Sequence, residues 1–150
     1  MRLANNILLT VFCKEDEDSQ QILNVMKGMF PFDLDAENIE VKRETAFGFN
    51  EKKITIFRIF LEKEKHITKF ISNLRQVLSE EQKQLLLRQL SSRLDDELYF
   101  YIRFDKEKLV MEKRLWVTDS GNCFHLRMSI TAFPKKREIA EKTLQEIFSQ

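Results

Sequence analysis

The chain has 150 residues, 25 Lys plus Arg against 24 Asp plus Glu, and is 43% hydrophobic and 33% charged. That is the length of one domain, too apolar for a disordered segment and without any apolar run near the roughly 20 residues that cross a bilayer. The expectation is a single domain over 1–150 in the cytoplasm, with no secretory leader and no membrane partner.

Three Gly and two Pro leave little chain for irregular loops, and Gly28, Gly48 and Gly121 lie too far apart for a dinucleotide fingerprint or a Walker loop. Cys13 and Cys123 belong to no C-x-x-C motif and read as buried thiols. Residues 7–13 (ILLTVFC) form an apolar and β-branched run that predicts a mostly buried strand. Asp16 or Asp18 then caps a helix in which Ile22, Val25, Met26, Met29 and Phe30 recur at three- and four-residue spacings until Pro31 stops it. Residues 39–45 (IEVKRET) alternate as a half-solvated strand, with Ile39, Val41 and Arg43 on one side. A turn over 46–52 follows, where Gly48 and Asn50 tolerate positive φ, and residues 54–61 (ITIFRIFL) return as the antiparallel neighbour.

Over 66–78 a helical stripe joins Ile67, Phe70, Ile71, Leu74, Val77 and Leu78. Ser79 and Gln82 form a capping box that starts another helix at Glu80, with Leu86, Leu87, Leu90 and Leu94 inward. Residues 98–104 (LYFYIRF) and 123–132 (CFHLRMSITA) alternate as half-buried strands, and 115–118 (LWVT) supplies a short strand between them. Pro134 suits the first turn of a last helix whose inner face is Ile139, Ala140, Thr143, Leu144, Ile147 and Phe148. The order βαββααβ(β)βα predicts an α+β fold with a single mainly antiparallel sheet and about four helices.

The period of two puts Leu98, Phe100, Ile102 and Phe104 on one face of their strand and Tyr99, Tyr101 and Arg103 on the other. It likewise puts Phe124, Leu126, Met128 and Ile130 inward and His125, Arg127, Ser129 and Thr131 outward. Rings interleaved with guanidinium groups suit single-stranded RNA, because bases stack on rings for about 1 to 3 kcal/mol each while arginines meet phosphates. Tyr is also a good strand former, and from the residues alone the readier reading of this face is burial under a helix or under a second copy as a homodimer.

Charge is unevenly spread. Residues 1–40 carry three basic and eight acidic side chains, residues 41–97 twelve and nine, and residues 98–150 ten and seven. Lys52, Lys53, Arg58, Lys106, Lys108 and Lys113 sit among the later basic residues, where they either grip a phosphate backbone or form an ordinary solvated surface. Asp95, Asp96, Glu97, Asp105 and Asp119 read as solvated turn carboxylates rather than a converging metal site. Cys13, Cys123, His66 and His125 lack the arrangement of zinc ligands, and no nucleophile elbow is present. The residues therefore point to no enzyme, no metal and no cofactor.

At residues 98–108 (LYFYIRFDKEK) the chain resembles an archaeal family of predicted RNA-binding, exosome-associated proteins whose fold is similar to that of ribosomal protein L5. That family carries a strand of the form hydrophobic, Arg, Phe, Asp, Lys, Gln; Arg103, Phe104, Asp105 and Lys106 match it, and Glu107 stands in for the Gln. Gly48, Phe49 and Asn50 fall at the family's glycine- and asparagine-bearing hairpin, and a final strand with a Pro-led helix extends the likeness over nearly the whole chain. The resemblance implies a non-catalytic protein that binds single-stranded or structured RNA, alongside exosome subunits of an RNA processing or degradation machinery. Joined to the outward-facing pattern, it makes Tyr99, Tyr101, Arg103, Lys106, His125 and Arg127 the candidate RNA-binding residues.

Overall fold

The computed structural model describes residues 2–149. Strand β1 (Ala4–Lys14) leads into helix α1 (Ser19–Lys27), whose N-terminus is capped by the Asp18 carboxylate accepting the Gln20 and Gln21 N–H groups at 3.1 and 3.2 Å. The helix stops at Gly28, ahead of Pro31, and the buried Met29 and Phe30 belong to the turn beyond it. Strands β2 (Val41–Phe47) and β3 (Lys53–Leu61) pair antiparallel from Val41 opposite Ile59 to Phe47 opposite Lys53. In their connection Asn50 and Glu51 take the positive φ values, 62° and 58°, while Gly48 is extended. A Cβ at Gly48 would lie 3.0 Å from Ile54 Cδ1, the free end of a side chain that would have to give by a few tenths of an ångström.

Helices α2 (Glu64–Val77), α3 (Glu80–Arg88) and α4 (Leu90–Arg93) come next, and Ser79 Oγ accepts the Gln82 N–H at 3.2 Å to start α3 as the capping pattern requires. Then follow β4 (Tyr99–Asp105), α5 (Lys106–Glu112), β5 (Cys123–Ile130) and α6 (Arg137–Phe148). The strands form one five-stranded antiparallel sheet in the order β2-β3-β1-β5-β4.

By its internal contacts the chain divides into two compact units. The first comprises the chain up to Ile7, Leu61–Ile102 and the chain from Arg127; the second comprises Leu8–Phe60 and Arg103–Leu126. In the first unit α6 packs on α2, α3 and α4, and the Phe100 and Phe148 rings meet with centroids 5.8 Å apart. In the second α1 packs on α5, and Leu9, Val11, Ile22, Met26, Phe57 and Leu109 are buried. The six residues expected at the centre of the late strands, Phe100, Ile102, Phe104, Leu126, Met128 and Ile130, are between 0% and 2% exposed. Among the described residues no helix is long and apolar enough to cross a membrane.

Further details depart from the sequence reading. Among the described residues six α-helices stand where about four were expected, because α4 and α5 are added. Asp105 closes β4 and caps α5, its Oδ1 accepting the Lys108 N–H at 2.9 Å, so strand passes to helix without a loop. The run at 115–118 is not a strand: it meets β4 through a single bridge, Phe104 to Val117, flanked by the Asp105 N–H to Trp116 carbonyl and Thr118 N–H to Arg103 carbonyl bonds. Pro134 lies outside α6, which begins at Arg137, and follows a cis peptide from Phe133.

Removing the Phe100 ring takes away buried apolar area and the contact with Phe148, whereas the Phe133 ring is open to solvent. Phe100→Ala should therefore cost about 3–5 kcal/mol in urea unfolding, and Phe133→Ala should stay within about 0.5 kcal/mol of the unaltered protein.

Candidate functional site

Within the first unit, Tyr99, Tyr101 and Arg127 come together around Asp95, which lies in the turn before β4. One Asp95 oxygen accepts the N–H groups of Tyr99 and Glu97 at 2.9 and 3.0 Å, and the other accepts the Tyr101 hydroxyl at 3.0 Å. The turn is shaped by Leu98, buried at a φ of 68°. Arg127 stacks on Tyr99, its Cζ 4.6 Å from the ring centroid, and its Nε is buried without a hydrogen-bond partner. Burial pushes the Asp95 carboxyl up, but the Tyr99 N–H, the Tyr101 hydroxyl, the Glu97 N–H and the Arg127 charge outweigh it and hold the group below its ordinary value. Burial, and then the bond to Asp95, push the Tyr101 hydroxyl up. The two tyrosines are thus half-buried members of a network, one ring covered on a face by a guanidinium and the other tethered through its hydroxyl.

Within the second unit, the outward residues of four strands line an open recess of about 400 Å³: Thr10 and Phe12 of β1, Arg58 of β3, Arg103 of β4, and Cys123 and His125 of β5, with Gly121 at the rim. Phe12 is 53% exposed, a large ring left open beside cationic side chains. Each arginine is held by one arm. Arg58 Nη1 meets Glu44 Oε2 at 2.6 Å, and Arg103 Nη1 donates to the Asp119 carbonyl at 3.0 Å. The Cys123 thiol is pushed up by burial against the opposing charges of Arg103 and Lys106, and Cys13 is pushed up by burial with Glu17 adding to it. Both are free, buried thiols.

Of the expected site residues, Tyr99, Tyr101 and Arg127 gather in the first unit and Arg103 and His125 in the second. Lys106 does not belong with them. It is 4% exposed, and its Nζ donates to the Phe12 carbonyl at 2.6 Å and pairs with Glu17 at 3.1 Å, so this ammonium is spent inside the protein. Phe12 was missed because residues 7–13 read as one continuous apolar run. The period of two was nonetheless present, with Leu9, Val11 and Cys13 buried and Thr10 and Phe12 turned the other way. Asp105, read as a turn carboxylate, is the cap of α5.

Comparison with known proteins gives the family through one match and the fold through others. A family model described as RNA binding matches residues 6–130, and the chain belongs to that RNA-binding family. RNA-binding protein PAB1135 of Pyrococcus abyssi is 29% identical over 143 residues, covering 95% of this chain and 92% of that one. Two solved structures of the DUF54 family share the fold. Protein AF2318 of Archaeoglobus fulgidus superposes with a TM-score of 0.84 at 24% identity, covering 96% of this chain and 99% of the other. Protein SSO0741 of Sulfolobus solfataricus gives 0.76 at 25% identity, covering 97% and 98%.

Two outcomes follow for stability. Lys106 is buried while Glu17 is a quarter exposed and also accepts the Lys14 N–H at 2.9 Å, so Lys106→Ala should cost about 1–3 kcal/mol in urea unfolding through lost stem packing and a lost charged hydrogen bond, and Lys106→Met, which keeps the apolar stem, less. Because folding lowers the Asp95 pKa, the stability it contributes is present above its unfolded value, about 3.9, and is lost as pH falls through the folded value. The gap in urea midpoint between the unaltered protein and Asp95→Ala should therefore be full at pH 6 and shrink as pH drops below about 4. A gap independent of pH would contradict this account of the turn.

Proposed function

We propose that this member of the RNA-binding family holds single-stranded RNA on its outward strand faces, with a base stacked on Phe12 and phosphates met by Arg58, Arg103 and His125. The observation that carries the reading is the recess around Phe12, where an open ring is bordered by two guanidinium groups and an imidazole. Stacking is tolerant of sequence because every base has a π-face, while guanidinium groups fixed at one arm keep further N–H donors for phosphate oxygens. Thr10 offers a hydroxyl within the same recess, a group able to meet a ribose 2′-OH. In the first unit, Arg127 stacked on Tyr99, together with Tyr101, offers the further contact expected from the sequence.

We infer binding without catalysis, since the family's description names binding alone. Work alongside an exosome-type machinery, and a fold like that of ribosomal protein L5, rest on the sequence resemblance. The second reading, a homodimer closed over the same rings, is favoured by Phe12 and by Phe60, also more than a third exposed.

Phe12→Ala should weaken binding of a single-stranded RNA by about 1 to 3 kcal/mol and leave the salt dependence unchanged. Arg103→Ala should instead flatten the slope of log affinity against log salt by about 0.7. Fluorescence anisotropy at several salt concentrations measures both. An unaltered protein that binds no RNA at low salt, and that sediments as a dimer which Phe12→Ala dissociates, would replace this reading with the second.

A further inference from the structure

The second unit carries another cluster of open aromatic rings, at the tip of the β2–β3 hairpin. Phe47 is 72% exposed and Phe49 is 96% exposed, although both lie in a protein that buries most of its phenylalanines. At the tip the Gly48 N–H donates to the Lys52 carbonyl at 2.9 Å, and Asn50 and Glu51 take two successive positive φ values between them. Left-handed backbone is costly for a residue such as Glu51, so the sequence keeps this turn at some expense while leaving Phe49 nothing to pack on.

Charge singles out the same hairpin. Residues 41–97 have three more basic than acidic side chains, and residues 41–58 account for all of that excess, with five basic against two acidic; residues 59–97 carry seven of each. An open groove of about 540 Å³ at the base of the tip has Lys14, Lys52 and Lys53 against Glu15 and Asp16 on its walls. Exposed rings amid a local cationic excess match a chain of phosphates bearing unpaired bases better than an apolar partner, whose surface would leave these lysines unpaired.

We propose that the β2–β3 hairpin tip is a second RNA contact, in which Phe49, with Phe47, stacks an unpaired base while Lys52 and Lys53 meet the flanking phosphates. The inference rests on the recess around Phe12 as the first contact. Arg58 in that recess and Ile54 in the groove at the tip lie on one face of the same strand, four residues and roughly 13 Å apart along it. The substrate class is therefore a single strand long enough to reach from one to the other, and an RNA that fills the recess alone is too short to touch the tip.

Oligouridylates of four and of twelve nucleotides, measured against the full chain, separate the two contacts. Phe49→Ala should weaken the twelve-mer by between about fivefold and 150-fold with its salt slope unchanged, and leave the four-mer unaffected. Lys53→Ala should flatten the twelve-mer's salt slope by about 0.7. Phe49 is open to solvent, so an unchanged thermal midpoint will verify that the variant is folded. Unaltered twelve-mer affinity in both Phe47→Ala and Phe49→Ala, with Phe12→Ala still impaired, overturns this inference and leaves the recess standing. A self-association abolished by Phe49→Ala at unchanged RNA affinity assigns the tip to a second copy and overturns it as well. Failure of the unaltered protein to bind either RNA overturns both contacts together.

Discussion

The constraint on which everything else depends is the period of two along the late strands. In β4 and β5 every second residue is sealed at 0% to 2% exposure, and those positions accept only large apolar side chains. Polar chemistry is thereby confined to the alternate positions: Tyr99, Tyr101 and Arg103 on one strand, His125, Arg127 and Ser129 on the other. A slip of one residue would exchange the two sets, drive guanidinium groups into the core and expose Phe100 and Phe124. The packed core and the outward polar set are thus written on interleaved residues of the same segments, and the large inner residues fix the register that aims the outer ones.

Lys106 shows how strictly that alternation is obeyed. Continuing the inner series Phe100, Ile102, Phe104 by one step arrives at position 106, where the chain turns from β4 into α5. A lysine there begins on the inner side and must reach a partner within the protein. It finds the Phe12 carbonyl and Glu17, and so fastens the start of α5 to the end of β1 and the acidic segment before α1. Desolvating a charge pair is expensive, so its use at this point is one of position rather than of net stabilisation. It also locates the lysine away from solvent, whatever its place in a motif.

What the sequence made legible follows the same logic. The faces of β4 and β5 were readable because large inner residues alternate with polar ones over seven or eight positions, and the hairpin and the Ser79 cap because their local chemistry is unambiguous. Helix α5 was hidden by its length: seven residues with Leu109 as the one apolar residue buried give no periodicity to detect, and the Asp105 cap was its only sign. Phe12 was hidden by an apolar run in which two faces look alike. The pairing of Arg127 with Tyr99 joins residues from two strands, so no local pattern in either strand discloses it. The outward tyrosines could be read as a face, but their engagement by Asp95 and Arg127 depends on how the chain closes.

That engagement bears on how an almost neutral protein could hold RNA. With a net charge of +1, the molecule has no long-range field to concentrate a polyanion, and the arginines of the recess already have partners: Glu44 carries a full opposing charge against Arg58, while the Asp119 carbonyl offers Arg103 only a dipole. Prepaired guanidinium groups lose less side-chain entropy on binding, which favours geometry, yet a phosphate at Arg58 must share it with a carboxylate, which limits affinity. The balance falls to the rings. On the proposed reading, Phe12 and the hairpin phenylalanines supply attraction that salt does not screen, and the few cations near them set the path of the backbone. Affinity would then decline with salt far less steeply than for a basic domain that gathers six to ten phosphates. On that reading the outward phenylalanines, at a cost in exposed apolar area, would take over the part that charge plays in such proteins.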